Sequence, residues 1–148
     1  MCAAVSGMNY IYYSVNSGVD WTQSDSIVGE WYGITSSSDG TKVYACYRDG
    51  YIYYSTNSGA NWIQSNSPVK SWQSMACSDD GTRVFCTITG EDFVYYSIDS
   101  GVNWKPVNSS ISFMKNWRSI ACSSDGTKIW VGAGAIGNTG DYVYYGTL

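Results

Sequence analysis

One short aromatic motif recurs four times along this chain of 148 residues and restricts the possible folds more than any other feature. The first copy, Tyr10–Ser14, reads Tyr-Ile-Tyr-Tyr-Ser. The later copies begin at Tyr51, Phe93 and Tyr142, after spacings of 41, 42 and 49 residues. A second motif, a tryptophan followed by Ser/Asp-Asp-Gly-Thr, keeps the same period and begins at Trp31, Trp72 and Trp117. Two motifs in phase indicate a tandem structural repeat.

Each period reads as four short strands. The first strand follows the tryptophan, and an Asp-Gly turn then reverses the chain, because glycine there supplies the positive φ that tight hairpins need. The second strand follows this turn, the third is the tyrosine motif, and the fourth begins near Trp62 and its equivalents. A period of about 40 residues with four strands is typical of a β-propeller blade. The third strand is apolar at successive positions, which predicts burial on both faces; a flat sandwich would leave one face polar.

The chain therefore predicts an all-β domain over residues 1–148, made of antiparallel four-stranded propeller blades. The phase of the motifs places a partial blade at 1–25, complete blades at 31–64 and 72–107, and a second partial blade at 117–148. The prediction is about 3.5 blades and 14 strands in one chain.

An eight-residue motif lies between the third and fourth strands of three blades. It resembles the Asp box, Ser-x-Asp-x-Gly-x-x-Trp, also called the bacterial neuraminidase repeat, which occurs in sialidases, sortilin-type receptors and photosystem II assembly factor propellers. The copies are Ser14, Asn16, Gly18, Trp21; Ser55, Asn57, Gly59, Trp62; and Ser97, Asp99, Gly101, Trp104. Only the third keeps the aspartate. We expect a structural role, because the polar side chain can accept turn N–H groups and the tryptophan can pack under the turn.

This number of blades is too small for a ring, since propellers have about four to eight. Open blade faces lined with Tyr and Trp require a cover. We expect a homo-oligomer, such as a dimer that completes the ring, or further repeats of a longer chain; a distorted monomer that closes on itself is a third possibility. Two copies would hold 28 strands, the count for seven blades, and an eight-bladed ring is equally compatible.

The resemblance to sialidases raises the question of an enzyme. That activity implies three arginines around one carboxylate, but strand order places Arg48 and Arg118 on one rim and Arg83 on the opposite rim. The chain has no histidine, which excludes a Ser-His-Asp or Cys-His set within it. We therefore expect no catalytic residues, no metal and no cofactor. A remnant of a glycoside hydrolase is the remote alternative.

The expected position for a ligand is the rim formed by the loops that enter the first strand and leave the second, because loops on a rigid scaffold commonly carry function. The residues there are Trp31, Tyr32, Arg48, Lys70, Trp72, Lys115, Trp117 and Arg118. Aromatic and polar groups together suit sugars or peptides, whereas the alternative is that the tryptophans pack between blades. The predicted function is a non-enzymatic scaffold or interaction module, and a lectin-like carbohydrate-binding propeller is the alternative.

Composition narrows the partners. The chain has 12 acidic and 8 basic residues, which argues against nucleic acid and anionic membranes as binding partners. No apolar run is long enough for membrane insertion. The five cysteines form no CxxC pair, so we expect small buried apolar residues. The N-terminus lacks the features of a signal peptide, and the family resemblance alone favours a secreted, surface or particle-associated location.

Overall fold

A computed structural model describes residues 2–4, 8–90, 94–107, 116–134 and 142–147. In these ranges the chain is all β, with fifteen strands in four antiparallel sheets. In chain order the strands are β1 (Cys2–Ala4), β2 (Met8–Asn9), β3 (Ile11–Tyr13), β4 (Thr22–Gln23), β5 (Gly29–Ser36), β6 (Val43–Tyr47), β7 (Ile52–Ser55), β8 (Ile63–Gln64), β9 (Trp72–Cys77), β10 (Val84–Ile88), β11 (Val94–Ser97), β12 (Lys105–Pro106), β13 (Asn116–Cys122), β14 (Lys128–Gly134) and β15 (Tyr142–Thr147).

Each sheet is an antiparallel meander in chain order. The first sheet is β1-β3-β4, the third is β9-β10-β11-β12 and the fourth is β13-β14-β15. The second sheet is β5-β6-β7-β8, with β2 added beside β5. In register, the first sheet corresponds to the second, third and fourth strands of a complete sheet, and the fourth sheet corresponds to the first three.

The described strands exceed the predicted 14 by one, the two-residue β2. It pairs Met8 with Glu30 and Asn9 with Gly29, because the Trp31 indole N–H donates to the Asn9 carbonyl at 3.0 Å and holds this segment against the next sheet. The following repeat has only a single bridge at this position, between Gly50 and Lys70. The extra strand is therefore an inter-sheet link and not a fifth element of the repeat.

The core lies between sheets and not within one two-layer sandwich. Three clusters of buried side chains alternate with the four sheets: Ile11, Trp31, Ala45 and Tyr53 form the first; Tyr44, Cys46, Ile52, Trp72, Met75, Val84, Cys86, Ile88, Tyr95 and Trp104 the second; Phe85, Val94, Trp117, Ile129, Val131 and Ala133 the third. Strands β6 and β10 are buried at nearly every position. This pattern requires neighbours on both faces of the two middle sheets and confirms the predicted all-β stack of four-stranded units.

Candidate functional site

The eight-residue turn between the third and fourth strands is held by its own hydrogen bonds. In the third copy, Ser97 Oγ donates to the Asp99 carboxylate at 2.8 Å and accepts the Gly101 N–H at 2.9 Å. Asp99 also accepts the backbone N–H of Asn103, and the Trp104 indole donates to the Gly101 carbonyl, both at 2.9 Å. The same four contacts hold the other two copies within 0.1 Å. These side chains therefore close the turn, including those of Ser14, Asn16, Gly18, Trp21, Ser55, Asn57, Gly59 and Trp62.

The third position of the turn also pairs with the residue four places later, and donor and acceptor exchange between copies. An amide Nδ2 donates to an oxygen at 2.7 Å in every copy, from Asn16 to Asp20, from Asn57 to Asn61, and from Asn103 to Asp99. Partial burial raises the pKa of Asp99, but the hydrogen bonds from Asn103 and Ser97 outweigh it and keep that pKa below its ordinary value. The turn needs an acceptor oxygen at this position and not a negative charge.

A left-handed serine precedes the glycine in each copy, which the sequence did not indicate. The glycines have φ of 86°, 86° and 80°, and the residues before them, Ser17, Ser58 and Ser100, have φ of 59°, 60° and 58°. Left-handed backbone is uncommon outside glycine and is retained where other contacts fix the segment. Here the Ser58 and Ser100 N–H groups donate to carbonyls of the hairpin turn in the same sheet, at 2.9 and 3.0 Å.

In the second, third and fourth sheets, one aspartate of the hairpin turn between the first and second strands accepts several hydrogen bonds from its own turn. Asp80 accepts the Ser78 hydroxyl at 2.6 Å and the Thr82 N–H and hydroxyl at 2.8–2.9 Å. Hydrogen bonds from Ser78 and Thr82 lower the pKa of Asp80 from 3.8 to about 2. Asp39 and Asp125 have the same partners in their own turns, and their pKa values are also about 2. These carboxylates are committed to turn geometry.

The three tryptophans expected on the rim lie between sheets. Trp31, Trp72 and Trp117 are 4%, 1% and 3% exposed. Each ring meets the edge of a tyrosine, at centroid distances of 5.2–5.5 Å, and the Trp72 indole donates to the Gly50 carbonyl at 2.9 Å. A ligand cannot reach these rings, which corrects the rim interpretation of Trp31, Trp72 and Trp117 in favour of packing between sheets.

A β-bulge after each of these tryptophans directs the next side chain to the rim. The register between the first two strands shifts after Trp31, Trp72 and Trp117, leaving Tyr32, Gln73 and Arg118 without a paired residue. Bulges of this kind re-aim side chains and occur often beside binding sites. Tyr32 is 42% exposed and Arg118 is also exposed. Sequence reasoning missed Gln73, and its position one residue after Trp72 was the available signal.

Tyr32 and Arg48 form a compact polar cluster on the rim. Arg48 donates to the Tyr32 hydroxyl at 2.8 Å and to Glu30 at 3.3 Å, and its guanidinium lies 5.2 Å from the Tyr32 ring centroid. The Tyr32 hydroxyl and the Glu30 carboxylate raise the pKa of Arg48. Asp49 lies 3.8 Å from Arg48 and accepts the Ser71 hydroxyl. The Arg48 guanidinium therefore lies over the Tyr32 ring and donates its hydrogen bonds to neighbouring side chains.

The remaining described rim residues lie on other elements. Lys70 follows the second sheet and donates its N–H to the Gly50 carbonyl at 3.1 Å. Arg118 belongs to the fourth sheet, where its side chain covers Gly134. Lys115 lies outside the described residues. The described residues of the predicted rim are thus distributed over the second, third and fourth sheets and the segment between the second and third.

Arg83 lies at the opposite strand ends from Arg48 and Arg118, as strand order indicated. Arg48 follows the end of β6, which pairs with the start of β5, whereas Arg83 precedes the start of β10 at the hairpin-turn end and packs beside Gly126. Within the described ranges no three potential ligands lie close enough together to hold a metal ion, and no helix has the length and apolarity to cross a bilayer.

Among the cysteines whose side chains the structure describes, four are free and lie in the inter-sheet layers. Cys46 and Cys86 are buried, and Cys77 and Cys122 are half-buried. Burial raises the pKa of Cys77 and Cys86, and raises that of Cys122 to about 11. A thiol held protonated in this way is a poor nucleophile.

Three of the five large apolar side chains that are exposed on the described strands lie on the fourth sheet. We call the face that each sheet turns toward the following sheet its front face, and the opposite one its back face. The front-face residues in equivalent register are Tyr44, Ile52 and Tyr54 in the second sheet, Phe85, Val94 and Tyr96 in the third, and Trp130, Val143 and Tyr145 in the fourth.

Their exposures differ sharply. Trp130 is 41% exposed, whereas its counterparts Tyr44 and Phe85 are 1% and 0% exposed. Val143 is 75% exposed, against 0% and 8% for its counterparts, and Tyr145 is 79% exposed. Along β14 and β15, buried or half-buried positions accordingly alternate with exposed ones up to Val131 and Tyr145. The front face of the fourth sheet therefore has the composition of an inter-sheet core without a covering sheet.

Comparisons with known proteins place this architecture. No protein-family model and no curated protein sequence matches the chain. Among solved structures, an ancestral GH74 enzyme has a TM-score of 0.67 and 21% identity. The match covers 95% of this chain and 21% of the enzyme's chain. The nidogen/laminin complex has a TM-score of 0.72 and 11% identity, and the match covers 96% of this chain and 56% of that one. YCF48 bound to D1 peptide has a TM-score of 0.58 and 16% identity, and the match covers 85% of this chain and 41% of that one. The chain thus spans between about one fifth and a little over half of these proteins. At such identities the likeness establishes the fold alone: the chain is a run of β-propeller blades.

Proposed function

We propose that this chain is a non-enzymatic propeller scaffold, an interaction module that assembles through the front face of its fourth blade. The observation that carries the proposal is the exposure of Trp130, Val143 and Tyr145 at positions that are covered in the preceding blades. Contiguous apolar surface of this kind is rare on soluble monomers and marks an interaction site. Polar side chains on a blade face would also prevent that face from packing against a neighbouring blade.

The state of the charged groups supports a role without catalysis. The carboxylates of Asp39, Asp80 and Asp125 accept three local donors each, and their pKa values are far below neutrality. A general acid or base at neutral pH needs a pKa near 7. The similar structures include enzymes as well as propellers in complexes, and the proposal takes from them only the capacity to hold a partner.

We also assign the three eight-residue turns as Asp boxes in which two copies have exchanged aspartate for asparagine. The hydrogen bonds from Ser97, Asn103 and Trp104, and their repetition in the other copies, support this assignment. It gives the boxes a structural role.

Carbohydrate binding has less support. A sugar platform needs an exposed aromatic face, but the three rim tryptophans are buried and Arg48 lies over the exposed Tyr32. The scaffold role is therefore the function that the geometry favours.

Sedimentation velocity of the 148-residue chain and two variants tests the proposal. Val143→Glu places a charge on the front face. Val15→Glu makes the same change at a position that is 84% exposed in the first eight-residue turn, and its counterpart Ile98 stays 65% exposed in the third blade, which is covered on both faces. We expect the wild type and Val15→Glu to sediment as an assembly and Val143→Glu as a single chain, with far-ultraviolet circular dichroism unchanged. Equal sedimentation of wild type and Val143→Glu would refute the proposed interaction face.

A further inference from the structure

The two ends of the blade array carry complementary surfaces. We propose that the front face of the fourth blade docks on the back face of the first blade of a second copy, and that two such joins close a ring. This inference rests on the proposed function and identifies the occupant of the exposed face. With four sheets in each chain, two copies supply eight blades, within the range of about four to eight seen in closed propellers.

The join has a template inside the chain, where the front of the second blade meets the back of the third. The Tyr44 hydroxyl donates to the Gly81 carbonyl at 2.6 Å, and a Cβ on Gly101 would lie 2.8 Å from the Tyr44 ring. Lys42 Nζ donates to the Asp80 carbonyl at 2.9 Å and to Ser100 Oγ at 3.2 Å. An aromatic ring against a glycine of the eight-residue turn, with a lysine beside it, therefore describes this interface.

The fourth blade presents the same donor side. Trp130 stands in the register of Tyr44, and Lys128 stands in the register of Lys42. Trp130 is 41% exposed and Lys128 is exposed. The front face thus offers the aromatic ring and the lysine that the internal interface uses.

The first blade presents the part of the acceptor side that the eight-residue turn supplies, but its described strands β1, β3 and β4 include no counterpart of the hairpin turn at Asp80 and Gly81. Gly18 and Ser17 are the counterparts of Gly101 and Ser100 and have the same left-handed backbone. Trp21 is 41% exposed, whereas its counterpart Trp104 in the third blade is 8% exposed. Tyr12 is half-buried, whereas its counterpart Tyr95 is 9% exposed and lies against Trp72. Both aromatic residues lie on the back face of the first blade, which among the described strands has neither a first-strand tryptophan nor a preceding blade over it.

Association of front with back is heterologous, and heterologous contacts form closed rings when the rotation between copies closes. Association of two front faces would bring Trp130 of one chain against Trp130 of the other, with no turn glycine beneath either ring. The internal interfaces always join a front to a back. The repeat therefore specifies head-to-tail docking.

Two charge variants in a mixing experiment test the orientation. Val143→Glu blocks the front face and leaves the back face intact, and Tyr12→Glu blocks the back face and leaves the front face intact. We expect each variant alone to be a single chain in sedimentation velocity. In a 1:1 mixture at the same total concentration, the two should form an open complex of two chains through the one unblocked join. Val15→Glu serves as the control and should keep the wild-type assembly.

The outcomes separate this inference from the proposed function. If Tyr12→Glu alone still assembles while Val143→Glu does not, the front face works as a scaffold but the second copy does not occupy it with its first blade. A Tyr12→Glu dimer that does not grow on addition of Val143→Glu indicates front-to-front association and overturns the inference. Assembly of Val143→Glu alone overturns the proposed function as well. Circular dichroism and thermal unfolding of each variant identify loss of folding as a separate cause.

Discussion

Replacement of Trp72 by phenylalanine should destabilise the chain strongly, whereas the same change at Trp130 should not. Trp72 is 1% exposed, and its indole N–H donates to the Gly50 carbonyl at 2.9 Å. Loss of that hydrogen bond costs about 1 kcal/mol, a moderate value because the same carbonyl also accepts the Lys70 N–H at 3.1 Å. The smaller ring removes contacts worth about two buried methylene groups, or about 2 kcal/mol.

The expected loss is therefore about 3 kcal/mol of unfolding free energy, which corresponds to about 9 °C in Tm for a chain of this size. Trp130→Phe is the matched control, because Trp130 is 41% exposed and should change the stability of a single chain by no more than about 0.5 kcal/mol. Chemical denaturation followed by circular dichroism measures both, at a protein concentration low enough to keep the chains apart. If Trp72→Phe and Trp130→Phe lose equal stability, the assignment of Trp72 to an inter-blade core is wrong.

Two further perturbations test the turns. Gly101→Ala should cost about 2–4 kcal/mol, because its φ is 80° and the new Cβ would lie 2.8 Å from the buried Tyr44 ring. Gly90→Ala, with φ of 77° and no described atom within 4 Å of the new Cβ, should cost only about 1 kcal/mol. Thermal unfolding of the two variants separates the steric cost at Gly101 from the backbone strain that both share. Equal losses of stability would contradict the close approach of Gly101 to the Tyr44 ring. The hairpin-turn aspartates have folded pKa values of about 2, below the ordinary 3.8. Their contribution to stability is complete above pH 3.8 and is lost as the pH falls toward 2. Urea unfolding at pH 4, 3 and 2 should show this loss, and Asp80→Asn should reduce its slope; an unchanged slope would mean that the Asp80 carboxylate is not stabilised by Ser78 and Thr82.

Sequence periodicity was sufficient for the fold because the repeat encodes both strand positions and burial. Tyr51–Ser55 and its equivalents have apolar side chains on both faces, and only a stack of sheets hides both. The turns were also legible, since Asp80 and Gly81 follow known local rules. The rim was not legible, because the motif beginning at Trp72 does not say whether its indole faces a ligand or a neighbouring sheet.

The bulge was the missing information at the rim. A shift of one residue after Trp31 turns that ring inward and Tyr32 outward, and periodicity alone cannot locate such a shift. The exposed front face was equally hidden in the composition. Val143 and Trp130 are as apolar as their covered counterparts, and their exposure depends on the number of sheets and not on local sequence.

The exchange of roles within the eight-residue turn has an evolutionary consequence. Residues 16 and 20, 57 and 61, and 99 and 103 need one amide donor and one oxygen acceptor between them, and either partner can supply either group. Acidic and amide side chains can therefore drift across this pair by single steps without a nonviable intermediate. Lineages that separate early would retain the shape of the turn while the aspartate that gives the motif its name disappears from their sequences.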